Sequence, residues 1–324
     1  MTLGKNGWDQ HPIGWRVHKI SRVLVVLICA VMACARPLDA QASETFVRSL
    51  VTNNQSDAEK REAIRRQFAQ RPTELIGIIE GLDEEDGLAF DIARLCQDGL
   101  ADLLQRGDYA LLVSRISAAP NIRTRGVLAG VLPRNQALIE AVKVNPDPVV
   151  LLLTDETESL NAVVALAEVL SRAQVVTAVP IIRSKMSLDH IDFGSTVSLE
   201  ASLMRLGEQS VHYKYMEMIE SPNFEDQRRA LDVCALSESP KVMKYLIPWF
   251  DRKEWPFEPR QSGRSVVIPP FRYSDVAVRF AHYFRDREYE SGPLRLTFVQ
   301  QYSDEEIEEV REWWETLKDT DEYR

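Results

Sequence analysis

The chain has 324 residues, enough for a large core, and carries 39 Lys and Arg against 49 Asp and Glu, a net charge of −10. An acidic surface does not neutralise phosphates, so generic nucleic-acid binding is excluded. In chain order, the first element is an export leader. Arg16, Lys19 and Arg22 precede an uncharged run, Val23 to Ala35, followed by RPLDAQA. That is the three-part layout of a secretory signal, and the apolar run is shorter than the roughly 20 residues a bilayer span needs. Small residues at Ala40 and Ala42 place the cut between Ala42 and Ser43, making 1–42 the leader. Cys34, in Val-Met-Ala-Cys, offers an alternative lipidation site, and the chain meets a membrane only if lipidated there or if the leader is retained. The leader holds five basic and two acidic residues, so its loss takes the net charge from −10 to −13. It also removes Cys29 and Cys34, leaving Cys96 and Cys234 among apolar residues at helical spacing, which reads as two buried free thiols.

From Ser43 to Phe250 apolar residues recur at i, i+3, i+4 and i+7. AVVALAEVL (162–170), LEASLMRL (199–206) and LDVCAL (231–236) are each followed closely by a second such block, the pattern of a repeating helix hairpin. The last large apolar residues of the leading helices are Phe68, Leu104, Leu132, Leu170, Leu206 and Leu236, an average spacing of about 34. Two helices per unit at that period point to an all-α solenoid of about six hairpins whose stacking supplies the core. Pro72, Pro120 and Pro146 punctuate helix boundaries, and Asn54-Gln55-Ser56 is a chance glycosylation triplet. The hairpins resemble bacterial HEAT-like repeats: Leu170-Ser171-Arg172 then Val175, Leu206-Gly207-Glu208 then Val211, and Leu236-Ser237-Glu238 then Pro240 carry the likeness over roughly residues 61–250. The resemblance implies a binding or scaffolding role in the cell envelope, exported or periplasmic, with a protein partner. It also implies an alternative, because some proteins with such repeats are lyases that attach bilin chromophores.

The helical period fails over 251–273. Two short extended arms flank Gln261-Ser262-Gly263, the signature of an inserted β-hairpin or loop, with Ser274 or Asp275 suited to cap the next helix. Ten basic residues face five acidic ones from Lys241 to Arg287, and arginines beside aromatics are interface ingredients. Trp255, Phe257, Arg260, Arg264 and Arg272 are therefore the candidate partner-binding residues. The remainder, 274–324, reads as a helical cap. There Ser303-Asp304-Glu305-Glu306 has capping-box form, and Ile307, Val310, Trp313, Trp314 and Leu317 share one face.

No nucleophile elbow, phosphate loop, dinucleotide fingerprint or His-Glu-x-x-His is present. Of the histidines outside the leader, His190 lies in an Asp-His-Ile-Asp stretch that reads as helix-start polarity, and His212 and His282 read as packing residues. The expectation is therefore a chain that is not an enzyme, with no cofactor and no metal.

Overall fold

The computed structural model describes residues 38–320 except 84, 255–259, 263–265, 269–270, 287–293 and 295–299. The described chain is all-α apart from one small ribbon. In that ribbon β1 (Arg260–Ser262) pairs antiparallel with β2 (Val266–Ile268), Gln261 opposite Val267. The chain divides into two compact units, Met1–Gly99 and Leu100–Arg324. Cys34, Trp255, Phe257 and Arg264 lie outside the described residues, as does the side chain of Arg260.

The first unit contains α1 (Leu38–Thr52), α2 (Asp57–Phe68), α3 (Thr73–Glu80) and most of α4 (Ala89–Leu103). Ser56 starts α2 with a capping box: its hydroxyl accepts from the Glu59 amide while the Glu59 carboxylate accepts from the Ser56 amide. This reciprocal pairing satisfies two orphan backbone donors. Val47, Ile64, Phe68, Leu75, Ile92 and Cys96 form the interior. Close approach of α4 to α2 depends on Gly99, since a Cβ there would stand 2.4 Å from Cγ2 of Ile64. Ala42 is exposed, whereas Ser43 is buried, its hydroxyl donating to Glu74 at 2.8 Å.

In the second unit α5 (Tyr109–Ser117), α6 (Ile122–Ala129), α7 (Gln136–Val144) and α8 (Asp147–Asp155) lead into the regular part of the stack. That part comprises α9 (Leu160–Arg172), α10 (Val179–Lys185), α11 (Phe193–Arg205), α12 (Gln209–Glu220), α13 (Phe224–Ser237) and the one-turn α14 (Met243–Leu246). The leading helices α6, α9, α11 and α13 lie side by side in that order, and α12 lies against both α11 and α13. Sequence explains where they begin. Asn121, Ser159, Asp192 and Asn223 each precede a leading helix, and each side chain accepts a backbone N–H of the first turn; such a cap contributes about 1 kcal/mol. Their inner faces bury Leu128, Leu166, Leu170, Leu199, Leu203, Leu231 and Val233.

The structure corrects the repeat alignment. Leu170 and Leu203 are the equivalent residues, because each carbonyl accepts the amide five residues on, from Val175 at 2.9 Å and Glu208 at 3.0 Å. Between them Gln174 (φ 58°) and Gly207 (φ 78°) take the left-handed conformation that ends each helix, the Schellman motif. Leu206 lies beyond the end of α11, three residues past the true match. The period from α9 to α11 is 33, the separation of Gln174 from Gly207, and from α11 to α13 it is 31, because left-handed Glu238 (φ 53°) ends α13.

The chain closes with α15 (Tyr273–Arg285) and α16 (Asp304–Leu317), which pack together. Ser303 and Glu306 form the expected capping box. Ile307, Val310 and Trp314 are buried, whereas Trp313 is only half-buried. At α15 the capping differs from expectation: Arg272 is the N-cap residue, and Asp275, at the third helical position, accepts its amide at 2.6 Å.

Candidate partner-binding site

Aligning α9, α11 and α13 by their N-caps and their left-handed ends brings Ala167, Glu200 and Leu231 to one position. Ala167 and Leu231 are fully buried, and Glu200 is 3 % exposed. A carboxylate thus occupies a core position that its neighbours fill with apolar side chains. A charge taken out of water must be paired and hydrogen-bonded. Glu200 is met by three donors. Lys214 Nζ donates to Oε1 at 2.5 Å; the hydroxyl of Tyr215 and Nη2 of Arg229, the latter at 3.3 Å, donate to Oε2. Tyr215 is fully buried; burial first, then its bond to Glu200, hold the hydroxyl far above the ordinary phenol range, so it stays a proton donor.

The donors lead outward. The Arg229 guanidinium lies 5.1 Å from the ring centroid of Phe193, which is 64 % exposed at the first position of α11. Lys214 emerges from α12 next to Tyr213, itself 68 % exposed. A single buried carboxylate therefore holds two cations in place at a surface that also presents two large aromatic rings. Preorganised arginine and aromatic groups are what protein interfaces use as anchors.

A second polar cluster follows the repeat instead of breaking it. Arg172 and Arg205 are the last residues of α9 and α11, 33 apart, and both reach Glu238, the left-handed residue that ends α13. Arg205 donates from Nε to the Ser237 carbonyl at 2.9 Å, from Nη1 to Ser171 Oγ at 2.7 Å, and from Nη2 to the Leu236 carbonyl at 2.5 Å and Glu238 at 3.2 Å. Arg172 reaches Glu238 at 2.6 Å. Burial pushes the Glu238 carboxyl up, and the two guanidiniums oppose it.

The other candidates have structural surroundings. Arg272 binds Asp275 through Nε and Nη2 and donates to the Tyr302 carbonyl at 2.5 Å, so its guanidinium ties α15 to the segment before α16. Asp192 caps α11. His212 faces the Met204 carbonyl at 3.1 Å, and burial lowers its pKa. His282 stacks on Tyr302. Cys96 and Cys234 are free and buried, and burial pushes both thiols up to about 12. Among the described residues no group of three or more His, Cys, Asp or Glu could hold a metal, and no helix is long and apolar enough to cross a membrane. In the first unit a cleft of about 200 Å³ between α2 and α4 is crossed by the Arg61–Asp98 (2.9 Å) and Arg94–Asp57 (3.0 Å) ion pairs. Both are surface pairs, a class that contributes little.

The Glu200 cluster was not among the residues singled out from sequence. Its signal is present, but only once the helix ends are aligned: a lone Glu at a position flanked one repeat away on each side by Ala and Leu.

No protein-family model matches the chain, and no curated protein matches it. Among solved structures it is similar to a chain of the complex of CpcE and CpcF of phycocyanin lyase from Nostoc sp. PCC7120. The TM-score is 0.42 and the identity 13 %, over 84 % of this chain and 94 % of that one. That finding corrects the expectation of a chain that is not an enzyme: the matched structure is of a phycocyanin lyase complex.

Proposed function

We propose that this chain binds a protein partner through the surface formed by Phe193, Tyr213, Lys214 and Arg229, and that it does so as an exported stacked-helix protein of a bacterial cell envelope. The observation that carries the reading is Glu200. Stacking does not require a carboxylate there, because the helices on either side stack on Ala167 and Leu231. What Glu200 adds is the fixed placement of Lys214 and Arg229, and an arginine already held beside an exposed ring binds with little loss of rotamer freedom. A photo-crosslinking residue at position 217, one turn beyond Tyr213 on α12, tests it in envelope fractions. Phe193→Ala and Arg229→Ala should each abolish a specific crosslinked species that native protein forms; the same species at undiminished yield in both variants overturns the reading.

A second reading, a lyase-like factor acting on the partner it holds, draws on the acid–base groups gathered at the same place: a carboxylate, a phenol hydroxyl and an amine within hydrogen-bond reach of one another. Under it, Tyr215→Phe retains the crosslink and loses any modification of the captured partner.

A further inference from the structure

Each leading helix of the second unit opens on an apolar residue. Ile122, Leu160, Phe193 and Phe224 stand directly after the capping residues Asn121, Ser159, Asp192 and Asn223. A cap needs a polar side chain at its own position and asks nothing apolar of the next residue. Ile122 is 49 % exposed and Phe193 64 %, while Leu160 and Phe224 are half-buried. The four lie along one edge. The starts of α6 and α9 adjoin, because Ser159 Oγ donates to the Ile122 carbonyl at 3.2 Å. The ends of α9, α11 and α13 meet at Glu238, so these helices, packed side by side, run the same way and their starts share the opposite edge. There Arg229 of α13 lies over Phe193 of α11. The connectors into α9, α11 and α13 (155–159, 186–192 and 220–223) make that edge acidic: they expose Asp155, Glu158, Asp189, Asp192 and Glu220 and contain no lysine or arginine.

Packed helix axes stand about 8–10 Å apart, so the apolar groups recur at that interval. A β-strand turns successive side chains to opposite faces, whereas polyproline II returns to the same face every third residue, about 9 Å further on. We propose that this edge holds a basic polyproline II segment of the partner. An apolar residue at every third position of that segment rests on Ile122, Leu160, Phe193 and Phe224, and its lysines or arginines face the connector carboxylates. The assignment deepens the partner-binding reading above and rests on it, because Phe193 belongs to both surfaces. A second copy of this chain is disfavoured as the occupant, since its net charge of −10 would bring like charge to the edge.

The test uses the intact chain and a peptide of four Leu-Pro-Lys triplets, with a scrambled peptide of the same composition and a peptide of four Leu-Pro-Glu triplets as controls. Fluorescence anisotropy should show saturable binding of the first peptide alone, weakening as salt screens the exposed carboxylates. Ile122→Ser and Leu160→Ser should each lower its affinity about fivefold. Glu158→Gln combined with Asp189→Asn changes only exposed connector side chains and should weaken binding as well. No binding of the first peptide, equal binding of either control, or full affinity in the doubly substituted chain overturns the proposal. So does a native oligomer that Ile122→Ser dissociates, which would seat a second copy on the edge. The two readings fail separately: a crosslinked species lost in Phe193→Ala but fully retained in Ile122→Ser and Leu160→Ser leaves the binding surface standing and removes the edge from it, whereas retention in Phe193→Ala and Arg229→Ala overturns the surface itself.

Discussion

Two polar clusters sit within the same stack of helices, and they differ in their relation to the repeat. Arg172 and Arg205 recur one period apart at the last residues of α9 and α11, and both meet Glu238 at the end of α13, with Arg205 also donating to backbone carbonyls there. Glu200 interrupts the period, and its donors end at exposed aromatic rings. The first joins successive hairpins. The second adds nothing that stacking needs, and its cations lead to the surface. A charge in step with a repeat serves assembly, and a charge out of step marks a site.

The largest effect should come from breaking the in-step cluster. Arg205→Ala leaves Glu238 buried against Arg172 alone and strips donors from two carbonyls and from Ser171. Removing one partner of a buried ion pair costs about 3–5 kcal/mol, read as a lower urea midpoint at unchanged slope. A loss under about 1 kcal/mol, the ceiling for exposed pairs, would show that this cluster does not join the hairpins.

The out-of-step cluster should respond differently. In Glu200→Leu an apolar side chain returns to a position that neighbours fill with Ala167 and Leu231, while Lys214 and Arg229 are free to reach water. Stability should change by less than about 1.5 kcal/mol, and the crosslinked species should fall about tenfold, because both cations lose their anchor. A large loss of stability with crosslinking intact would make Glu200 a structural residue and dissolve the contrast.

A smaller effect comes with pH at Asp232 of α13, a half-buried carboxylate whose pKa burial raises. The folded-state pKa of Asp232 is raised, so the native chain holds its proton more tightly than the unfolded chain does. Stability on this account is fully present below the ordinary carboxylate range and is lost as pH rises through the raised value. Burial raises the value, and Arg228 on the same helix opposes it. In Asp232→Asn that decline should flatten, seen as Tm curves that coincide at low pH and separate upward through the carboxylate range. Coincidence across the whole range would mean that Asp232 is solvated like any surface carboxylate.

The fold was largely legible because helix hairpins announce themselves locally: apolar spacing, prolines at boundaries, and the capping pair Ser303 and Glu306 are all short-range signals. The site was not. Its significance lies in a comparison across 33 residues, and Leu206-Gly207-Glu208 drew the alignment three residues away from Leu203, past the end of the helix. Left-handed Gln174 hid the match further, since a glycine marks that turn at Gly207 but not one repeat earlier. Arg272 misled in the opposite direction, because a basic residue beside aromatics reads as an interface until its guanidinium is seen closing on Asp275 and the Tyr302 carbonyl.

The smallest expected effect on the fold is also the sharpest on the site. Phe193 is 64 % exposed, and its stacking with Arg229 is of the exposed cation–π kind, about 0.5–1 kcal/mol. Phe193→Ala should therefore move stability by no more than about 1 kcal/mol, while the crosslinked species disappears, since an exposed ring beside a fixed arginine contributes chiefly when a partner covers it. Phe193→Tyr, which keeps the ring, should restore the crosslink. If alanine and tyrosine behave alike, the ring takes no part in binding, and the break in the repeat at Glu200 serves some surface other than the one around Arg229.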